Sequence, residues 1–202
     1  MNAAGQATRR RLLDAATAEF AAHGIAGARV DRIAADARAN KAQLYAYFTS
    51  KDGLFDAVFG EHIDMIVNTV PLDGGDLPGY AVRLYDAYLE HPELVRLATW
   101  ARLERTPTGA LFTPAEPPAT AEHASTAEHP DARKLRAIAD AQDSGHIDPS
   151  LAPADVLSIV TAMSMTWSPA SAVHAAHRDE DAAEHERRRR ALSETVRRAF
   201  AP

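Results

Sequence analysis

Twenty-three residues, Arg29 to Lys51, RVDRIAADARANKAQLYAYFTSK, constrain this chain more than any other stretch. Val30, Ile33, Ala34 and Ala37 recur at helical spacing, so one face is apolar while Asp31, Arg32 and Asp36 stay in water. Arg38, Ala39 and Asn40 interrupt the pattern, and Asn40 is a favoured N-cap for a second helix starting at Lys41. In that helix Leu44 and Phe48 form an inward i, i+4 pair, which leaves Lys41, Gln43 and Tyr47 outside. A short exposed helix carrying a cation, an amide and a phenol suits the major groove of DNA. Lys and Gln hydrogen-bond base edges and Tyr reaches phosphate oxygens. At the helix start, Lys41 suits a guanine and Gln43 an adenine.

The run LYAYFTSKDGLFDAVF that follows resembles the Leu-Tyr-x-x-Phe-x-x-Lys-x-x-Leu signature of the tetracycline-repressor (TetR) family of bacterial transcription regulators. The resemblance covers Thr8 to Phe59 and includes a preceding helix, RRLLDAATAEFAAHG, that ends at Gly24. It implies an all-α fold: an N-terminal three-helix helix-turn-helix DNA-binding head, residues 6–66, and a C-terminal helical ligand-binding and dimerisation domain, residues 67–202. The candidate DNA-binding residues are Arg29, Arg32, Arg38, Lys41, Ala42, Gln43, Tyr45, Tyr47 and Lys51. Two positions depart from the family pattern. Arg38 stands where Gly is usual in the turn, which predicts a turn that avoids positive φ or bears it with strain. Ala28 and Arg29 stand where a capping, phosphate-binding Thr is usual, a contact Arg29 would replace.

Charge is divided along the chain. Residues 1–52 hold eight Lys and Arg against five Asp and Glu, net +3, and the remainder fourteen against twenty-three, net −9. A basic end attracts phosphate while an acidic body stays off the duplex. With 202 residues there is room for a head and one larger domain. The absence of Cys excludes a disulfide framework and a thiol sensor. Without an apolar leader or an eighteen-residue apolar run, a cytoplasmic protein with no membrane partner is expected.

Beyond Lys51 the pattern is helical throughout. Thr49-Ser50-Lys51-Asp52 resembles a capping box opening a helix to about Val70, and PLDGGDLPG breaks it. Helices are expected over Tyr80 to Glu90, Pro92 to Arg105 and Asp131 to Ser144, with a partly disordered Pro-, Ala- and Thr-rich loop over Thr106 to Pro130. Val156, Leu157, Ile159, Val160, Met163, Met165 and Trp167 cover too much of the Pro153 to Trp167 helix to face a single core. The last helix, Asp181 to Phe200, carries a Leu192, Val196, Phe200 stripe. The family resemblance implies that these two helices pair with their copies across a two-fold axis in a homodimer. The candidate dimerisation residues are Leu157, Val160, Trp167, Leu192, Val196 and Phe200.

No G-x-G-x-x-G, P-loop, Cys pair or H-E-x-x-H occurs, so catalysis is not indicated, and no cofactor or metal is expected. His174 and His177 have a spacing that could present two ligands, but no third is evident. A helical interaction protein without DNA or ligand is the alternative that loss of the basic head would mark. The run Arg187 to Arg190 reads as a solvated face, offset by Glu184, Glu186 and Glu194. Met65, Tyr85, Tyr88, Trp100, Met163 and Met165 are large or adaptable groups on helices that, as the family resemblance implies, surround a central cavity, and they are the candidate lining of an effector pocket. With few buried cations in view, the unknown small-molecule effector is expected to be apolar or aromatic. Taken together, the reading is a ligand-responsive DNA-binding repressor of a palindromic, double-stranded operator, with activation left open.

Overall fold

The computed structural model describes residues 3–105 and 130–202, with the backbone alone at 63–69 and 130–131. Among the described residues the regular structure is helical, without strands: α1 Ala3–Gly27, α2 Val30–Asp36, α3 Lys41–Phe48, α4 Lys51–Thr69, α5 Leu77–Glu90, α6 Pro92–Glu104, α7 Pro130–Asp143, α8 Pro153–Ser164 and α9 Ala182–Phe200. The expected loop from Thr106, apart from Pro130 itself, lies outside the described residues. Two compact units are present. One holds α1, α2, α3, α4 as far as Met65, and α6; the other holds α5, α7, α8 and α9. The sequence suggested a single boundary near residue 66, but α6 returns to the first unit.

The reason is a shared core. Leu12, Leu13, Ala16 and Phe20 of α1 meet Ile33, Leu44, Phe48, Leu54, Phe55 and Val58, and Leu97 and Ala101 of α6 close the same cluster. Phe20 and Phe55 pack edge to face with centroids 5.2 Å apart. Burial of this apolar area is the main stabilising term, and the aromatic pair adds directional attraction. Gly24 leaves helical conformation at φ 72, so α1 runs to Gly27 with a break rather than ending at Gly24. The break admits α6: a Cβ at Gly24 would lie 2.5 Å from Glu104 Oε1 and 2.9 Å from the Trp100 ring. Trp100 Nε1 donates to Ala21 O at 3.4 Å, and Glu104 Oε2 accepts from Ala26 N–H at 2.7 Å. Arg105 secures the other flank, bonding Asp52 Oδ1 at 2.6 Å, pairing with Asp56 and lying over the Phe55 ring.

In the second unit α5 buries Leu77, Tyr80, Ala81, Leu84, Tyr85 and Tyr88. Ile138 of α7, Val156 and Val160 of α8, and Leu192, Val196 and Phe200 of α9 are buried as well. The α8 helix stops at Ser164, short of the expected Trp167, with Met165 capping it. At the start of α4 the cap is Ser50, whose Oγ accepts from Gly53 N–H at 2.9 Å. The reciprocal half of the expected capping box is missing because Gly53 has no side chain to return the bond.

Candidate nucleic-acid interface

The α2 helix closes on a Schellman motif. Arg38 N–H donates to Ala35 O at 3.0 Å and Ala39 N–H to Ala34 O at 2.9 Å, which satisfies two carbonyls at the helix end. Arg38 occupies the left-handed position, φ 51. The turn therefore bears positive φ without glycine, and the strain the sequence allowed for is present, on the order of 1 kcal/mol. Arg11 Nε braces the turn by donating to Ala37 O at 3.0 Å. Asn40 then caps α3 in a full capping box: Gln43 N–H donates to Asn40 Oδ1 at 2.9 Å, and Asn40 N–H donates to Gln43 Oε1 at 3.1 Å.

That box changes the role of Gln43. Here Oε1 accepts from the Asn40 N–H, whereas chelating adenine would require the amide oxygen and nitrogen together. In this geometry Gln43 fixes the start of α3. Lys51 changes as well. Its ammonium donates to Ala26 O at 3.1 Å and Ala28 O at 3.3 Å, tying the segment between α1 and α2 to the start of α4.

Arg32 is held by Glu19, a buried carboxylate on α1, through Nε at 2.8 Å and Nη2 at 2.5 Å, and Glu19 also accepts the Arg29 N–H at 2.8 Å. Burial pushes the Glu19 carboxyl up, but the Arg32 guanidinium and the Arg29 N–H outweigh it and hold the group below its ordinary value. Sequence reading passed over Glu19. The available signal was a carboxylate at i+7 from Leu12, on the apolar face of α1. Lys41 pairs with Asp31 at 2.7 Å, both exposed, an interaction that phosphate can displace. By contrast, the side chains of Arg29 and Arg38 are exposed and make no hydrogen bond or ion pair among the described residues. Ala42 and Tyr45 join Lys41 on the outward face of α3, while Tyr47 is half-buried against the core.

The remaining candidate residues lie in different places. Trp100 belongs to the first unit, against Gly24, where the break in α1 opens room for an indole, whereas Tyr85 and Tyr88 belong to the second. Met65 is among the residues whose side chains are not described. Tyr85 and Tyr88 are buried on α5, and burial pushes the Tyr88 phenol up to about 12. Met163 and Met165 are half-buried. Val160, Leu192, Val196 and Phe200, assigned to a partner helix, are buried by their own chain. Trp167 packs on Tyr85 at 5.9 Å and Leu157 is half-buried. The apolar surplus of α8 is instead Ile159, 39% exposed, beside exposed Ser158 and Ala162. Arg188, expected in solvent, is 3% exposed, so a buried cation is present after all. Among the described residues no cluster could hold a metal, and no helix is long and apolar enough to cross a membrane.

Residues 12–58 match the family described as bacterial regulatory proteins, tetR family, and residues 76–198 match the tetracyclin repressor-like C-terminal domain. HTH-type transcriptional repressor SCO4008 of Streptomyces coelicolor is 43% identical over 163 residues, 81% of this chain and 79% of that protein. HTH-type transcriptional repressor NicS of Pseudomonas putida is 35% identical over 107 residues, 48% of this chain and 50% of that protein. The crystal structure of SCO4942 from Streptomyces coelicolor superposes with a TM-score of 0.73 at 36% identity, covering 96% of this chain and 98% of that one.

Proposed function

The chain belongs to the TetR family of bacterial transcriptional regulators, which are DNA-binding proteins and not enzymes, and we propose that it is a ligand-responsive repressor, binding a palindromic operator as a homodimer and released by a small aromatic or apolar effector. The observation that carries the reading is the outward face of the head. Lys41, Ala42 and Tyr45 of α3 are exposed, and Arg29 and Arg38, cations without a side-chain partner among the described residues, stand at the start and end of α2. Arg29 and Arg38 take phosphates, and the first turns of α3 meet base edges. Two heads on one face of B-DNA place half-site centres roughly 34 to 36 Å apart. Exposed Ile159 and Ala162 on α8 support pairing through that helix.

An effector that binds only the conformer with misplaced heads draws the population away from DNA by its differential affinity for the two states. The test is selection of bound fragments from genomic DNA, followed by sedimentation of the protein alone and on the recovered site. A symmetric site bound by a dimer is expected. Recovery of no enriched palindrome, or a monomer on DNA, rejects the proposal.

A further inference from the structure

The four-arginine run of α9 divides by helical register. Arg187 and Arg190 are exposed, Arg189 pairs with Asp86 at 2.9 Å, and Arg188 points inward. Its Nη2 donates to Glu180 Oε2 at 2.6 Å and to His174 Nε2 at 3.0 Å. Its Nε and Nη1 are buried and have no partner among the described residues. One turn earlier on the same helix, His185 is 6% exposed, its Nδ1 lies 2.7 Å from the Tyr85 hydroxyl, and its Nε2 is likewise without a partner.

Burial works against the charge of Arg188, while the Glu180 carboxylate favours it, with the net result above the ordinary arginine value. The Tyr85 hydroxyl and His185 Nδ1 share one hydrogen bond, and in the tautomer where the hydroxyl donates, His185 Nε2 carries a proton. In that tautomer the unmet groups of the cluster among the described residues, Arg188 Nε and Nη1 and His185 Nε2, are all N–H donors. Buried donors are rarely left unmatched in native proteins, and the guanidinium N–H groups that Glu180 and His174 leave free are complementary to an acceptor-only, planar anion. Tyr85 and Trp167, edge to face at 5.9 Å, supply aromatic surface beside it. Trp167, His174 and Glu180 belong to the irregular segment between α8 and α9, which can yield without unwinding a helix.

We propose that Arg188 and His185 form the anion-binding end of the effector site, and that the effector is an aromatic carboxylic acid with its carboxylate on those N–H groups and its ring beside Tyr85 and Trp167. The proposal rests on the reading of the chain as ligand-responsive and narrows the effector from aromatic compounds to aromatic acids.

Calorimetry and thermal melting of the full chain with benzoate, salicylate and 1-naphthoate test it, alongside benzamide, benzylamine and inorganic phosphate as matched probes. At least one acid is expected to bind and raise the melting temperature, with its amide about tenfold weaker or worse, since the amide lacks the charge. Arg188→Lys keeps the charge and the Glu180 pair but loses the planar fork, and is expected to weaken acid binding by about tenfold or more. His185→Gln reads the second donor independently, should Arg188→Lys fail to fold. The proposal is overturned if no acid binds at millimolar concentration, if amide or amine binds as well as acid, or if folded His185→Gln binds as the parent does. Phosphate binding as tightly as the acids overturns the aromatic assignment. Operator release is scored separately. Acids that bind without releasing DNA sink the ligand-response reading and leave the anion site standing, whereas release by neutral compounds with no acid binding does the reverse.

Discussion

Arg32 lays its guanidinium on the buried carboxylate of Glu19, thirteen positions earlier on α1, with Nη2 2.5 Å from Oε1. The same carboxylate takes the Arg29 N–H, so the first turn of α2 is oriented by a helix that is not itself part of the helix-turn-helix. The side chain that aims Arg29 is thus inside the head and not on its surface.

Removing that carboxylate is expected to cost stability and DNA affinity together. Glu19→Ala leaves the Arg29 N–H unpaired, a loss of roughly 1 to 3 kcal/mol. Because the folded carboxyl is held below its ordinary value, its contribution is full above the unfolded value and declines as pH falls through the folded one. Parent protein should therefore lose melting temperature on acidification below about pH 4.5 more steeply than Glu19→Gln. Equal acid slopes would show that the Arg32 contact contributes nothing.

Lys51 and Arg38 are expected to separate folding from phosphate contact. Lys51→Ala frees the Ala26 and Ala28 carbonyls, lowering the melting temperature while leaving the salt dependence of the folded protein's DNA binding unchanged. Arg38→Ala and Arg29→Ala should each flatten the log–log salt slope by about one. A flattened slope for Lys51→Ala would return that residue to the phosphate-contacting set.

Among the described residues, two that are not glycine have positive φ, Arg38 at 51 and Thr49 at 63, and they flank α3. Glycine relieves the strain but adds entropy to the unfolded chain, so Arg38→Gly and Thr49→Gly should each stabilise by about 0.5 to 1 kcal/mol. Denaturant midpoints at constant slope measure this. Destabilisation by either change would mean that the native side chain makes a compensating contact.

Gln43→Ala should lower stability by about 0.5 to 1 kcal/mol through loss of the capping box, whereas Gln43→Glu keeps the acceptor and the stability. In a saturation-mutated operator library the preference profile of Gln43→Ala should match the parent's, and Lys41→Ala should relax it at one symmetric pair of positions. A discrete change for Gln43→Ala would show that the side chain leaves its cap to read a base.

For the second unit, Ile159→Glu should yield folded monomers, because the side chain is already exposed in the protomer. Leu192→Ala should instead destabilise the protomer itself by about 2 to 5 kcal/mol. Sedimentation with circular dichroism distinguishes the two; a dimeric Ile159→Glu variant removes α8 from the interface.

The head was legible because its signals are local. Asn40 as a cap and Leu44 with Phe48 as an inward pair depend on residues three or four positions apart. What escaped the sequence depends on partners far along the chain. Glu19 and Lys51 look like surface charges until α1, α2 and the start of α4 are brought together. Trp100 looks like pocket lining until Gly24 makes room for it. Arg188 was hidden by its identical neighbours, since helical register sends one of four inward and composition alone cannot say which. The Leu192, Val196 and Phe200 stripe was visible, but periodicity cannot distinguish a chain's own core from a partner's.

The break at Gly24 seats one indole in the first unit, and Trp167 lies against Tyr85 in the second. The chain contains two Trp in all. Each unit thus carries one indole, which can be excited selectively over tyrosine. Trp167→Phe would leave an emission that follows only the DNA-binding half, and Trp100→Phe one that follows only the other, so the order in which the halves respond to operator and effector can be timed without attaching a dye.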